Sequence, residues 1–332
     1  MGYADDFICQ AHTVVIGRKG NINKPLFVDV PFWNVDTAFG LEAKRNVLLP
    51  KYLYYFCLRY DFEKLNKAVT IPSLTKADLL KIEIELPKLS IQEDIVSRLE
   101  SIERVKLLRQ YQLRTLDTLI KARFVELFGD PSVNSKSYPE RQLGELVINI
   151  IPGWSANGES RRMQGAEKAV LKVSAVTQGV FKPEEHKALP MGTEIKKYVY
   201  PHKGDLLFSR ANTRELVGAT AIIDQDYPNL ILPDKLWRVL FTNEINVYYA
   251  KYVLSTEAIR REFSAQSTGT SGSMFNVSAE KFCAIMIPVP PIHEQELFAA
   301  FVSQVDKSKA VVQAALNKAQ LLFDSLMQQY FG

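Results

Sequence analysis

Shifted by 203 positions, the chain lies over itself: the stretch from Ile71 to Gly129 covers Met274 to Gly332 without a gap. The overlay pairs Ile82 with Ile285, Ile84 with Ile287, Pro87 with Pro290, Gln92 with Gln295, Lys106 with Lys309, Leu113 with Leu316 and Phe128-Gly129 with Phe331-Gly332. Such a repeat constrains the fold more than any local propensity, because both copies must build the same unit and bury the same face. In each copy a short segment, 81–86 and 284–289, places apolar residues at alternate positions, the period of a half-buried strand.

A proline turn follows, at Pro87 and at Pro290-Pro291, and then the period changes. Ser90-x-x-Glu93 has capping-box spacing, in which a hydroxyl and a carboxylate satisfy the free N–H groups at a helix start. From there steps of four and three alternate through Ile95, Leu99, Ile102, Lys106, Arg109, Leu113, Leu116, Ile120, Arg123 and Leu127. The second copy matches with Phe298, Val302, Val305, Lys309, Val312, Leu316, Ala319, Phe323, Leu326 and Tyr330. This is a heptad seam, broken in both copies at the same lysine, where a polar group fixes register at some cost in stability. Residues 90–126 would form a rod of roughly 55 Å at ~1.5 Å per residue, too long to lie over one small domain. Two such rods are expected to pair as an antiparallel coiled coil holding the domains ahead of them apart. An ordinary helical hairpin in one core is the blander alternative. Gly129-Asp130-Pro131 supplies the stop after the first rod, glycine just past the helix and proline beyond.

The stretches outside the rods read as α+β. Between residues 130 and 290, β-like segments run over 169–176, 180–181, 206–208, 218–223 and 236–241, and 247–265 reads as one helix. Ahead of the first rod, Thr13 to Ile16 reads as a strand and Pro50 to Leu65 as an aromatic-rich helix. Counting back along the repeat, residues 130 to about 194 have no counterpart before Met1. Four segments are therefore expected: 1–88 as the C-terminal half of a first globular domain, 89–129 as a helix, 130–290 as a second domain and 291–332 as a second helix.

Composition excludes several classes. With 332 residues and 47% hydrophobic positions the chain can build real cores, and it holds no apolar run long enough for a membrane span. The first residues lack the basic and apolar regions of a signal peptide, and Cys9, Cys57 and Cys283 have no metal-set spacing, so a reducing cytoplasm is expected. A net charge of +4 is permissive for nucleic acid and no more. No P-loop and no dinucleotide fingerprint occurs. Glu194-Ile195-Lys196 has a nuclease-like E-x-K spacing, yet no Asp lies between 131 and 204 to share a metal with it. The four histidines, His12, His186, His202 and His293, have no relay or ligand spacing and read as structural or surface residues.

Taken together, Leu86-Pro87-Lys88-Leu89-Ser90-Ile91-Gln92-Glu93, Val289-Pro290-Pro291-Ile292-His293-Glu294-Gln295, Ser73 to Leu79, Val173 to Gly179, and Leu119 through Pro131 resemble the specificity subunit of type I restriction and modification systems. The resemblance covers essentially the whole chain. It implies two DNA target-recognition domains, the first incomplete, each reading half of a split double-stranded site across the coiled coil. It further implies docking of two modification subunits and of restriction subunits, with S-adenosylmethionine, ATP and Mg used by those partners and no cofactor bound by this chain. The subunit itself would be non-catalytic.

DNA reading needs Arg, Lys, Asn or Gln at base edges and cations or hydroxyls on phosphates. Two post-strand loops carry that mixture, Arg18, Lys19, Asn21 and Lys24 in one, and Ser209, Arg210, Asn212, Thr213 and Arg214 in the other. Secondary candidates are Lys235 and Arg238, Thr270 and Ser271 in the Gly/Ser/Thr loop, and the pair Arg161-Arg162. Each is weighed against a solvated surface role. The rival from another class is a coiled-coil protein-interaction scaffold that does not bind DNA.

Overall fold

The computed structural model describes residues 5–66, 68, 70–266 and 275–332. The chain divides into two compact units, one formed by Met1–Arg114 with Lys309–Gly332 and the other by Thr115–Ser308. Each unit thus takes a globular stretch and a part of both long helices.

In unit 1, β1 (Thr13–Gly17) is the centre of a three-stranded antiparallel sheet between β2 (Leu26–Val28) and β3 (Ala38–Leu41). The expected helix over 50–65 splits into α1 (Pro50–Arg59) and one 3-10 turn at Phe62–Leu65, started by Asp61, whose carboxylate accepts from Glu63 N. Val14, Ile16, Leu53, Cys57, Phe62 and Leu74 form the core between sheet and helix. After α2 (Lys76–Leu79), capped by Thr75, the chain enters α3 (Leu89–Phe128).

Unit 2 contains β4 (Glu140–Gln142), α4 (Leu143–Leu146), β5 (Val147–Pro152), β6 (Ala169–Leu171), β7 (His186–Ala188), β8 (Leu206–Ser209) and β9 (Ala211–Asn212). Next come β10 (Thr220–Ile222), β11 (Leu230–Ile231), β12 (Leu236–Phe241), α5 (Val247–Leu254), α6 (Glu257–Gln266), β13 (Phe275–Asn276), α7 (Ala279–Ala284), β14 (Met286–Pro288) and α8 (Ile292–Phe331). The main sheet is antiparallel in the order β10-β8-β12-β5; a second joins β11, β6 and β7, with β6 and β11 parallel.

The structure departs from the sequence periodicity at several elements. The strand expected over 169–176 stops at Leu171 and turns into a 3-10 turn, and 180–181 is no strand. The single helix expected over 247–265 is two, because the Ser255 and Thr256 hydroxyls donate to the carbonyls of Lys251 and Val253 and compete with the helical ladder. Segment 81–86 keeps its apolar alternation but joins no ladder among the described residues, whereas its repeat partner forms β14 and pairs with β4. Ser90 does not cap the first rod, which already begins at Leu89.

The positions at alternating steps of four and three are buried or half-buried in both helices, and most of their neighbours are exposed. In unit 1, Ile95 and Leu99 pack with Phe323, Leu326, Met327 and Tyr330. In unit 2, Phe124 and Phe128 each lie 5.5 Å from the Phe298 ring, and Val302 and Val305 share that core. In unit 2, Arg123 lies 5.9 Å from the Phe301 ring centroid and Phe128 5.5 Å from that of Phe298, so numbers rise along one helix as they fall along the other. Lys106 is accommodated by placing its ammonium 4.4 Å from the Phe323 ring centroid, a cation–π contact. Gly129 ends α3 at φ 73°, the left-handed conformation that favours glycine, and donates to Val125 O.

Candidate nucleic-acid interface

The two candidate loops occupy one and the same place in the fold. In unit 1, β1 delivers Arg18, whose carbonyl accepts from Leu74 N at 2.9 Å, and Lys19 bridges Ser73. In unit 2, β8 delivers Arg210, whose carbonyl accepts from Val277 N at 2.8 Å, and Ala211 pairs with Asn276. The tethered segment then starts a helix capped by a hydroxyl, Thr75 for α2 and Ser278 for α7. The two arginines also share a support. Arg18 lies 5.9 Å from the Phe39 ring centroid and Arg210 lies 5.6 Å from that of Trp237. Those rings stand at corresponding cross-strand positions, Phe39 opposite Ile16 and Trp237 opposite Phe208. A guanidinium resting on an aromatic face loses little entropy on binding; the Arg18 fork also donates through one Nη to Asp36 O at 3.3 Å.

The other candidates are disposed differently. Lys19, Asn21, Lys24, Thr213 and Arg214 are exposed. Asn212 is half-buried, and its side-chain oxygen accepts from Thr213 N. Ser209 is fully buried, and neither its Oγ nor Arg210 Nε has a hydrogen-bond partner among the described residues. Lys235 is half-buried beside Arg210, whose N–H its carbonyl accepts. Arg238 Nε sits 2.6 Å from the buried Asp205 carboxylate in an ion-pair contact whose N–H is not aimed at the oxygen. Arg161 is held by Glu159 and Glu167, and that guanidinium brings Glu167 down to about 2. Thr270 and Ser271 lie outside the described residues.

Among the described residues no three His, Cys, Asp or Glu side chains could together hold a metal ion. His186 accepts from Met163 N through Nε2, so Nδ1 carries the proton and donates to Pro183 O, a structural role. Burial raises all three thiols, Cys57 to about 12, which keeps them neutral and unreactive. No described helix is long and apolar enough to cross a membrane.

Sequence reasoning missed the parts that hold each lobe to the rods. Gln92 is fully buried; it accepts from Leu49 N and donates to the carbonyls of Val47 and Pro87. Gln295, also fully buried, accepts from Asn246 N and donates to Glu244 and Pro290. Tyr52 donates to Glu85 O and packs 4.9 Å from Phe331, as Tyr249 donates to Pro288 O and packs 4.9 Å from Phe128. These residues match at an offset of 197 in α1 and α5 but 203 beyond. The change of offset hides them from a single-shift comparison.

The family profile described as "Type I restriction modification DNA specificity domain" matches residues 1–114 and 172–320. The chain is 26% identical over 191 residues to the EcoEI specificity subunit of a type I restriction enzyme from Escherichia coli, covering 56% of this chain and 32% of that protein. It is 20% identical over 332 residues to the EcoKI specificity subunit from E. coli strain K12, covering 94% of this chain and 70% of that one. The chain thus spans about a third of the EcoEI relative and most of the EcoKI one. Among solved structures, a type I restriction-modification S subunit from M. genitalium superposes with a TM-score of 0.58 at 17% identity, covering all of this chain and 86% of that one. A further structure, from work on complex assembly and conformational transition of the type I system, gives 0.55 at 17% identity, with 97% and 82% covered.

Proposed function

The chain belongs to the type I restriction modification DNA specificity family, and from that premise we propose that it reads DNA sequence for a restriction-modification complex whose chemistry lies in other subunits. The observation that carries this reading is the duplicated arginine, Arg18 on Phe39 and Arg210 on Trp237, each tied at its own carbonyl to the segment before a capped helix. An arginine fork matches guanine O6 and N7 in the major groove, and a fork held against a ring is aimed in advance. Exposed Lys19, Lys24 and Arg214 supply the phosphate contacts that orient the protein on a duplex.

In the finer reading, residues 130–290 form a target-recognition domain for one half of a split double-stranded site, and residues 1–88 form the C-terminal half of a second such domain. The helices 89–129 and 291–332 fix the gap between half-sites and dock two modification subunits, with restriction subunits joining them. Exposed apolar residues on the rods, among them Leu107, Leu108, Leu297 and Leu321, support docking. Those partners would bring S-adenosylmethionine, ATP and Mg, and this chain would bind none of them.

Salt tests the reading. A protein neutralising Z phosphates loses affinity with a log–log slope of about −0.9Z. We expect the assembled complex to show a slope of several units on a duplex carrying its site, and weaker binding to random duplex. A flat salt response, with equal affinity for both, would mark the chain as a protein-binding scaffold.

A further inference from the structure

The arginine loop of unit 2 rests on α6. After Arg210 and β9 the chain makes one turn, in which Leu216 N and Val217 N both donate to Thr213 O. Val217 is fully buried, and Gly218, at φ 79°, passes so close to α6 that an added Cβ would meet the Phe263 ring at 2.8 Å. Two side chains of α6 take up carbonyls of the turn. Arg260 donates through one Nη to Glu215 O at 2.7 Å, and Ser264 Oγ donates to Arg214 O at 2.8 Å.

Arg260 differs from Arg141, Arg161, Arg238 and Arg261, each of which meets a carboxylate. It is half-buried against a carbonyl, and no carboxylate offsets its charge among the described residues, so burial pulls the guanidinium below its ordinary value. The Glu215 carboxylate is engaged elsewhere: its own N–H, then the Thr213 hydroxyl and the Arg214 charge, hold it below the usual range. Fastening a loop does not need a charge. In unit 1 the corresponding loop is held by a neutral amide, Asn23, whose Oδ1 accepts from Phe62 N at 2.7 Å and whose Nδ2 donates to Asp61 at 3.1 Å. A guanidinium taken partly out of water without a counter-charge carries a cost that an amide does not. An anion arriving beside it removes that cost, and the anion that a DNA-reading loop meets is a backbone phosphate.

We infer that Arg260 is a phosphate contact, fastening the arginine loop to α6 through one Nη while its uncompensated charge and remaining N–H groups take a DNA backbone phosphate. The inference rests on the DNA reading proposed above and adds to it a residue outside the loop. Arg260 lies on a helix, 50 positions from Arg210, and only the packing of α6 on the turn brings it to the site.

The experiment measures binding of the assembled complex to a random-sequence duplex over a series of salt concentrations, with the natural chain and with Arg260→Gln, Arg260→Lys and Arg261→Gln. Phosphate contacts carry no sequence information, so a random duplex reports them. Each contributes about 0.9 to the log–log slope. Arg260→Gln is expected to make the slope shallower by about that amount. Arg260→Lys gives up the fork but keeps the charge, and is expected to retain the natural slope. Arg261→Gln removes a charge already paired with Glu257 on the same helix, and is also expected to leave the slope as it is. A natural slope in Arg260→Gln, equal losses in the Gln and Lys variants, or the same loss in Arg261→Gln would each overturn the assignment and leave DNA reading standing. A flat salt response of the natural chain would remove both.

Discussion

Ile84 and Ile287 come from the same place in the repeat and the same alternating pattern, yet Ile287 is fully buried beneath β4 and Ile84 is half-exposed at a bare edge. The two regions show that alternation specifies which face of a segment can be buried, while burial itself depends on a partner elsewhere in the chain. The same contrast recurs at the helix ends. In unit 2, Phe298 meets Phe124, Phe128 and Tyr252 in a ring cluster, whereas its counterpart Ile95 brings an aliphatic side chain to Phe323, Met327 and Tyr330 at the end of α8.

The largest expected difference lies there. Phe298→Ala removes a fully buried ring and should destabilise unit 2 by ~3–5 kcal/mol, while Ile95→Ala should cost unit 1 ~2–4 kcal/mol. Denaturant unfolding followed separately in each unit checks this, and equal losses would break the comparison. Next come the two glutamine clips. Gln295→Ala strands one N–H and two carbonyls in a closed core, for a loss of ~2–4 kcal/mol. Gln92→Ala strands the equivalent groups beside half-exposed Val47, where water reaches them, and should cost ~1–2 kcal/mol less.

Arg210→Ala is expected to weaken specific DNA binding by ~1–3 kcal/mol, and Arg18→Ala by the same amount if both arginines read bases. Equal loss on specific and random duplex would reduce either to a phosphate contact. Lys106→Leu sharpens the comparison of the seams. It gives up a cation–π contact of about 0.5–1 kcal/mol for a fully apolar seam position. Replacing Lys106 and Lys309 together should raise the melting temperature while loosening register or oligomer state, read by sedimentation; unchanged melting and association would contradict a register role.

The smallest effect is alkaline. Burial, then the hydrogen bond to Glu294, pushes the Tyr138 phenol up to about 12. A phenol raised above its unfolded value of ~10 stabilises the fold below that pH and loses this contribution as pH climbs toward 12. Tyr138→Phe should flatten the alkaline unfolding limb of unit 2 and leave unit 1, which has Ile91 at the place of Glu294, unchanged.

Much of this was legible in the sequence because it is periodic. The heptad seam, the stop at Gly129 and the equivalence of the two arginine loops follow from spacing and from the repeat. Features that depend on distant partners were not. Nothing local in residues 81–86 says that a ladder is missing, and nothing in residues 247–265 says that two hydroxyls will divide a helix. The aromatic supports of Arg18 and Arg210 come from β3 and β12, strands brought alongside only by the sheet. The clips at Gln92 and Gln295 sat in plain view within the repeat, but their partners lie beyond the change of offset.

Mapping of methylated bases in cells that hold the modification subunits tests the central claim most directly, with this chain present, absent, or carrying Arg210→Ala. The expected result is a methylated split site that appears only with the chain and whose second half-site is lost or relaxed by the substitution. Methylation that is the same in all three backgrounds would contradict a DNA-reading role.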